Sequence, residues 1–206
     1  MMTDFLDNHK EAEPQQLIEA LKSINSGVIA IIMTIIVLEI KAPEAHYSYS
    51  IFVHEISIFI ITFLLIANFW YDLHQIFAYF ITKPSKIDVI VNFLFLAAMS
   101  LIPITTKWVM DKPTTFAVIN YGMVFFLANL FKYILEIVGM NETFPHFNLT
   151  NDKTIWRALM HAGALLLLNL ALIIISCFNV TLGIILYLLF PIITFIWPYR
   201  HVHHLQ

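Results

Sequence analysis

The side chains able to do chemistry in this 206-residue chain are few, and most stand alone in apolar surroundings. Asn25, Ser26 and Thr34 lie in the run SINSGVIAIIMTIIVLEI, which Glu39 closes. His74, Asn92, Asn129, His161 and Asn169 are set singly into other apolar runs. Neutral amides and hydroxyls in such settings bond helix to helix, or present oxygens to water and ions. They do not form a catalytic set. There is no GxSxG, no HExxH, no pair of intramembrane aspartates and no glycine loop to cradle phosphate, so no enzyme is expected. The single cysteine, Cys177, has no companion for an intrachain disulfide or a metal site. The tail Arg200-His-Val-His-His204 has metal-binding composition but reads as a solvated end. No metal and no cofactor are expected. Eleven scattered Lys and Arg at a net charge of −3 give no basic patch, so nucleic acid is not an expected partner.

Composition says what must position these residues. The chain is 60% hydrophobic and 12% charged, against roughly 45–50% and about 25% in soluble domains. An all-α membrane protein follows, because the apolar runs are too long for the alternating ten-residue segments of a barrel. Six spans are expected, near 20–40, 52–78, 87–106, 113–135, 154–176 and 180–198, within one transmembrane domain at 20–199. The break between the last two is placed at Ser176-Cys-Phe-Asn-Val-Thr181, where polar residues cluster. Residues 1–19 read as a short polar arm and 200–206 as a tail. Placing both termini in the cytoplasm puts Lys10, Lys22, Lys83, Lys86, Lys132, Lys153, Arg157 and Arg200 inside, and only Lys41, Lys107 and Lys112 outside. The expected location is the cell membrane, with the lipid bilayer as a partner.

The first span is unusual. On a helical wheel Ile24, Gly27, Ile31, Thr34, Ile35 and Leu38 fall within a stripe of about 100°. Small residues flank it. Two readings stay open. The stripe is either a packing face, with Thr34 bonded to its own backbone, or the lining of a pore on the axis of a symmetric oligomer. In the second case the aliphatic rings form a constriction and the Thr34 hydroxyls a polar ring.

SGVIAIIMTIIVLEIKAP (26–43) resembles the first transmembrane helix of prokaryotic members of the transmembrane protein 175 potassium-channel family. NFWYDLH (68–74), DVIVNFLFLAAMSLIPITT (88–106) and Asn120-Tyr121-Gly122 resemble the second, third and fourth helices of the same family, in order. The resemblance covers most of residues 20–135. The family's Arg-x-x-x-Phe-Ser-Asp motif is absent, since its positions hold Ala20, Ile24, Asn25 and Ser26. The resemblance implies an uncharged hydrogen-bond network joining Asn25 and Ser26 to His74 and Asn92. It also implies a homotetramer of six-helix chains, with Ile31, Ile35 and Leu38 as the pore constriction and Thr34 as the polar ring. The implied function is a K⁺-permeable channel for monovalent cations, modestly selective over Na⁺, and no TVGYG filter occurs. In such a tetramer Glu39 either forms a ring that concentrates cations at the pore mouth or pairs with Lys41. The alternative is a secondary transporter or a non-conducting membrane scaffold.

Asp72 and Asp88 are expected near helix ends, capping or meeting Lys83 and Lys86. His161 has no acid in its own span and is expected to be a neutral, bonded histidine. Asn141, Asn148 and Asn179 begin glycosylation-like triplets.

Overall fold

Where neither water nor a sheet edge can satisfy backbone groups, the helix satisfies them within one segment. The computed structural model is accordingly helical throughout and describes residues 2–41, 49–143 and 153–196. Its elements are α1 (Met2–Leu38), α2 (Tyr49–Tyr79), α3 (Lys86–Ser100), α4 (Ile102–Asp111), α5 (Thr115–Thr143), α6 (Lys153–Phe178) and α7 (Val180–Ile196). Among the described residues, five stretches are long and apolar enough to cross a membrane: Glu13–Leu38, Tyr49–Tyr79, Lys86–Asp111, Thr115–Glu142 and Leu159–Phe178. The chain is an all-α, multi-pass membrane protein.

The polar arm expected at 1–19 is helical from Met2 and runs through Pro14 into the apolar stretch as one helix, α1. The third span is longer than 87–106, and it is broken. Pro103 has no N–H for the carbonyl four residues back, and its ring crowds that carbonyl. The helix therefore ends at Leu101 and restarts as α4, with the proline in its first turn. The hydroxyls of Thr105 and Thr106 each donate to the carbonyl of Ile102, at 3.1 and 2.8 Å, and so occupy backbone acceptors near the break.

Local sequence sets the other boundaries. Ser85 and Asp88 form a reciprocal capping box at the start of α3, so Asp88 is a cap rather than a partner for lysine. Thr114 Oγ1 accepts from Ala117 N–H at 3.2 Å and opens α5 just after Pro113. Asn179 Oδ1 accepts from Leu182 N–H at 3.0 Å, which makes this asparagine the N-cap of α7. At that tight α6–α7 turn a Cβ on Gly183 would stand 2.8 Å from Ser176 Cβ. Only glycine lets the two helices approach so closely. Asn148 and the 200–206 tail lie outside the described residues.

Packing centres on α5, which lies against α3 and α4 on one side and α6 on the other. Phe69 of α2 meets Phe95 edge-on at 5.8 Å and stacks on Phe125 at 6.0 Å. Tyr121 and Tyr187 meet edge-on at 5.6 Å, over Gly122, where a Cβ would strike the Tyr187 hydroxyl at 2.3 Å. Dispersion contacts and shape carry such a bundle, since lipid tails are as apolar as the side chains they would replace.

Candidate pore helix

α1 is peripheral. Among the described residues it packs on α2, α3 and α4, and reaches none of α5, α6 or α7. Two of its faces differ sharply. Leu21, Asn25, Ile29, Ile32 and Ile36 are buried, at helical spacings of three and four. Ile24, Gly27, Ile31, Thr34, Ile35 and Leu38 are exposed, with Ile31 at 58% and Leu38 at 78%. A Cβ on Gly27 would meet nothing within 4 Å. The stripe picked out on the helical wheel is thus the face that a single chain leaves uncovered.

Thr34 Oγ1 donates to the carbonyl of Ile31 at 2.8 Å. That commits the hydroxyl proton and leaves the oxygen lone pairs pointing away from the helix, as acceptors. Bonding to its own backbone and presenting an oxygen are therefore compatible at Thr34.

The rotation of α1 is fixed by polar contacts along its buried side. Asn25 donates to Asn92 Oδ1 at 3.0 Å and accepts from Asn92 Nδ2 at 2.9 Å, a reciprocal amide pair that is fully buried. Ser26 takes a different partner, accepting from the indole Nε1 of Trp70 at 3.3 Å. Trp70 in turn stacks on His74, with ring centroids 5.6 Å apart. The four residues expected to form one network thus form two contacts. Asn25 pairs directly with Asn92, and Ser26 reaches His74 only through Trp70. Trp70 and His74 are four apart, one helical turn, which was the available sequence signal.

At the far end of α1 two ion pairs tie it to α4. Glu39 meets Lys107 at 2.6 Å and Lys41 meets Asp111 at 2.5 Å. Glu39 is therefore paired, but with Lys107 rather than Lys41. The Asp111 carboxylate holds the Lys41 ammonium above the usual lysine range, chiefly through their hydrogen bond. Lys41 N–H also donates to the buried Glu55 at 3.0 Å. Nothing in the sequence pairs residues about 70 apart.

A second polar cluster lies away from α1. Lys132 of α5 is buried, bonds Asp72 of α2, and sits 5.5 Å from the Phe69 ring centroid. Asp72 is thus committed to Lys132 rather than to Lys83 or Lys86. Glu136 and His161 lie within electrostatic reach of this pair, so His161 has an acidic neighbour, Asp72, on another helix. Lys132 and Glu136, one turn apart, were the legible part of this cluster.

Residues 20–103 match the sequence profile of the family described as endosomal/lysosomal potassium channel TMEM175. A potassium channel of Chryseobacterium sp. (strain P1-3) is 31% identical over 123 residues, covering 57% of this chain and 62% of that one. Over this stretch the chain is similar to the TMEM175 family. The match thus spans a little under two thirds of that relative's length. The crystal structure of a lysosomal potassium-selective channel TMEM175 homologue from Chamaesiphon minutus has the same fold. It superposes with a TM-score of 0.74, covering 88% of this chain and 97% of that one at 17% identity. The family match contains the whole exposed stripe of α1, the Asn25–Asn92 pair and the Trp70–His74 stack.

Proposed function

We propose that this chain is a potassium-permeable cation channel of the TMEM175 type, a homotetramer in which four copies of α1 line a central pore. The observation that carries the reading is the uncovered Ile24–Leu38 face on a helix that packs only along its opposite side. Lipid would satisfy the apolar residues of this stripe but offers no donor to the Thr34 oxygen. Around a four-fold axis the stripe becomes rings of Ile31, Ile35 and Leu38 narrow enough to dewet, with Thr34 oxygens as acceptors between them. In this reading α7, 17 uncharged residues long, is the sixth span, and both termini face the cytoplasm. K⁺ is the permeating ion, favoured modestly over Na⁺. The potassium-channel names of the two relatives support this assignment.

A secondary transporter is less well supported. Transporters use broken helices to expose backbone oxygens at a midplane site. At the α3–α4 break the Leu101 and Ile102 carbonyls accept from Thr105 and Thr106 hydroxyls. Asn129 donates to the Phe125 carbonyl of its own helix.

The test is planar-bilayer recording of purified protein under a K⁺/Na⁺ gradient, with Ile31→Asn beside wild type. Unitary currents reversing toward the K⁺ potential are expected, enlarged and less selective in the variant. Silence from both, in tetrameric preparations, refutes the channel. Unchanged currents in the variant remove Ile31 from the constriction.

A further inference from the structure

The ion pairs at the end of α1 bear on how ions enter, an inference that rests on the channel reading. Glu39 follows Leu38, the last residue of the uncovered stripe and of α1, and so stands at the mouth of the proposed pore. Unpaired, four such carboxylates would attract cations to the mouth. The structure places an ammonium on Glu39. Lys107 Nζ lies 2.6 Å from Glu39 Oε2, and its own side chain is half exposed. Lys107 comes from α4, the short helix that restarts beyond the Leu101 break, and the same helix supplies Asp111 to Lys41. Within these crossed pairs each carboxylate at the mouth has one lysine and each lysine one carboxylate.

We propose that Lys107 is a charge mask on Glu39. It cancels the carboxylate beside the ion path, so the mouth of this channel does not concentrate cations. Lys107 thereby sets the conductance at low salt without touching the permeating ion.

The experiment is unitary conductance of the full-length channel in symmetric KCl, at about 10 mM and about 1 M, for wild type, Lys107→Met, Glu39→Gln and the double variant. Methionine keeps an unbranched apolar stem and deletes the charge. One uncompensated charge about 7 Å from the ion path shifts local cation occupancy about threefold in water. Lys107→Met is therefore expected to raise conductance about threefold or more at the lower salt. The gain should disappear at about 1 M, where the screening length falls from ~30 to ~3 Å. Glu39→Gln exposes the lysine and is expected to lower low-salt conductance, and the double variant is expected to return to the wild-type value.

Wild-type conductance in Lys107→Met at low salt overturns the mask, as does a gain that survives in the double variant. If Lys107→Met does not assemble, the exchange Glu39→Lys with Lys107→Glu keeps a neutral pair and is expected to conduct like wild type. A salt-sensitive loss in that exchange also overturns the proposal. These outcomes are read in a conducting protein, whereas absence of wild-type current refutes the channel itself and the mask with it.

Discussion

Asn25 of α1 and Asn92 of α3 exchange both of their amide hydrogen bonds, at 3.0 and 2.9 Å, in a site closed to solvent. Two planar amides bonded in this way accept little rotation of either helix. A one-residue turn of α1, about 100°, would carry Asn25 away from Asn92 and swing Ile24 and Ile31 into the bundle. The pair therefore does more than hold two helices together. It sets which face of α1 stays uncovered. Asn25 stands at the serine position of the motif that this helix resembles, while that motif's two charged positions hold Ala20 and Ser26.

Removing one partner strands the other's amide in the interior, at about 1–3 kcal/mol. Asn25→Ala and Asn92→Ala should each lower thermal stability in detergent by that amount. Asn25→Ala with Asn92→Ala should cost clearly less than the sum, because neither amide is then left alone. Additive losses in the double-mutant cycle would mean that the two side chains do not share their bonds.

Ile31→Asn should leave protomer folding nearly unchanged, since Ile31 touches little within its own chain. Its effect belongs to the assembled pore, where an amide ring wets the constriction. Circular dichroism and melting temperature should match wild type while unitary current rises. A large fall in stability would place Ile31 in a packed interface instead.

Gly183→Ala should be costly although alanine is small and favours helices. The added methyl would lie 2.8 Å from Ser176 Cβ and 3.0 Å from Ser176 Cα, so the α6–α7 hairpin must open. Overpacking of this kind costs roughly 1–3 kcal/mol. Combining Gly183→Ala with Ser176→Gly should recover part of the loss in thermal unfolding. No recovery would locate the strain elsewhere.

Lys132→Met leaves Asp72 without its cation, and because only the lysine end of this pair is buried, the loss should fall below the about 3–5 kcal/mol of a fully buried pair. Lys132→Met with Asp72→Leu removes both charges and should restore most of the stability. Equal instability of the single and double variants would show that Lys132 serves another partner.

Much of this protein was legible in its composition and local signals. Uncharged runs about 20 residues long can only be helices in a bilayer, and α2, α6 and α7 begin and end within a few residues of the expected limits. The polar cluster Ser176–Thr181 marked the α6–α7 turn, and Asn179 within it is the N-cap of α7. The period of α1 separated its exposed stripe before any neighbour was known. The rest required the fold. Pro103 lies inside the span expected at 87–106, yet that the helix breaks at Leu101 and restarts as α4, carrying the span on to Asp111, is seen only in the structure. That Asn25 chooses Asn92, that Ser26 reaches His74 through Trp70, that Glu39 is held by Lys107 and that Lys132 answers Asp72 are facts about residues 44 to 68 positions apart. Helical periodicity tells a residue which face it occupies. Only the packing of one helix on another decides whom it meets there.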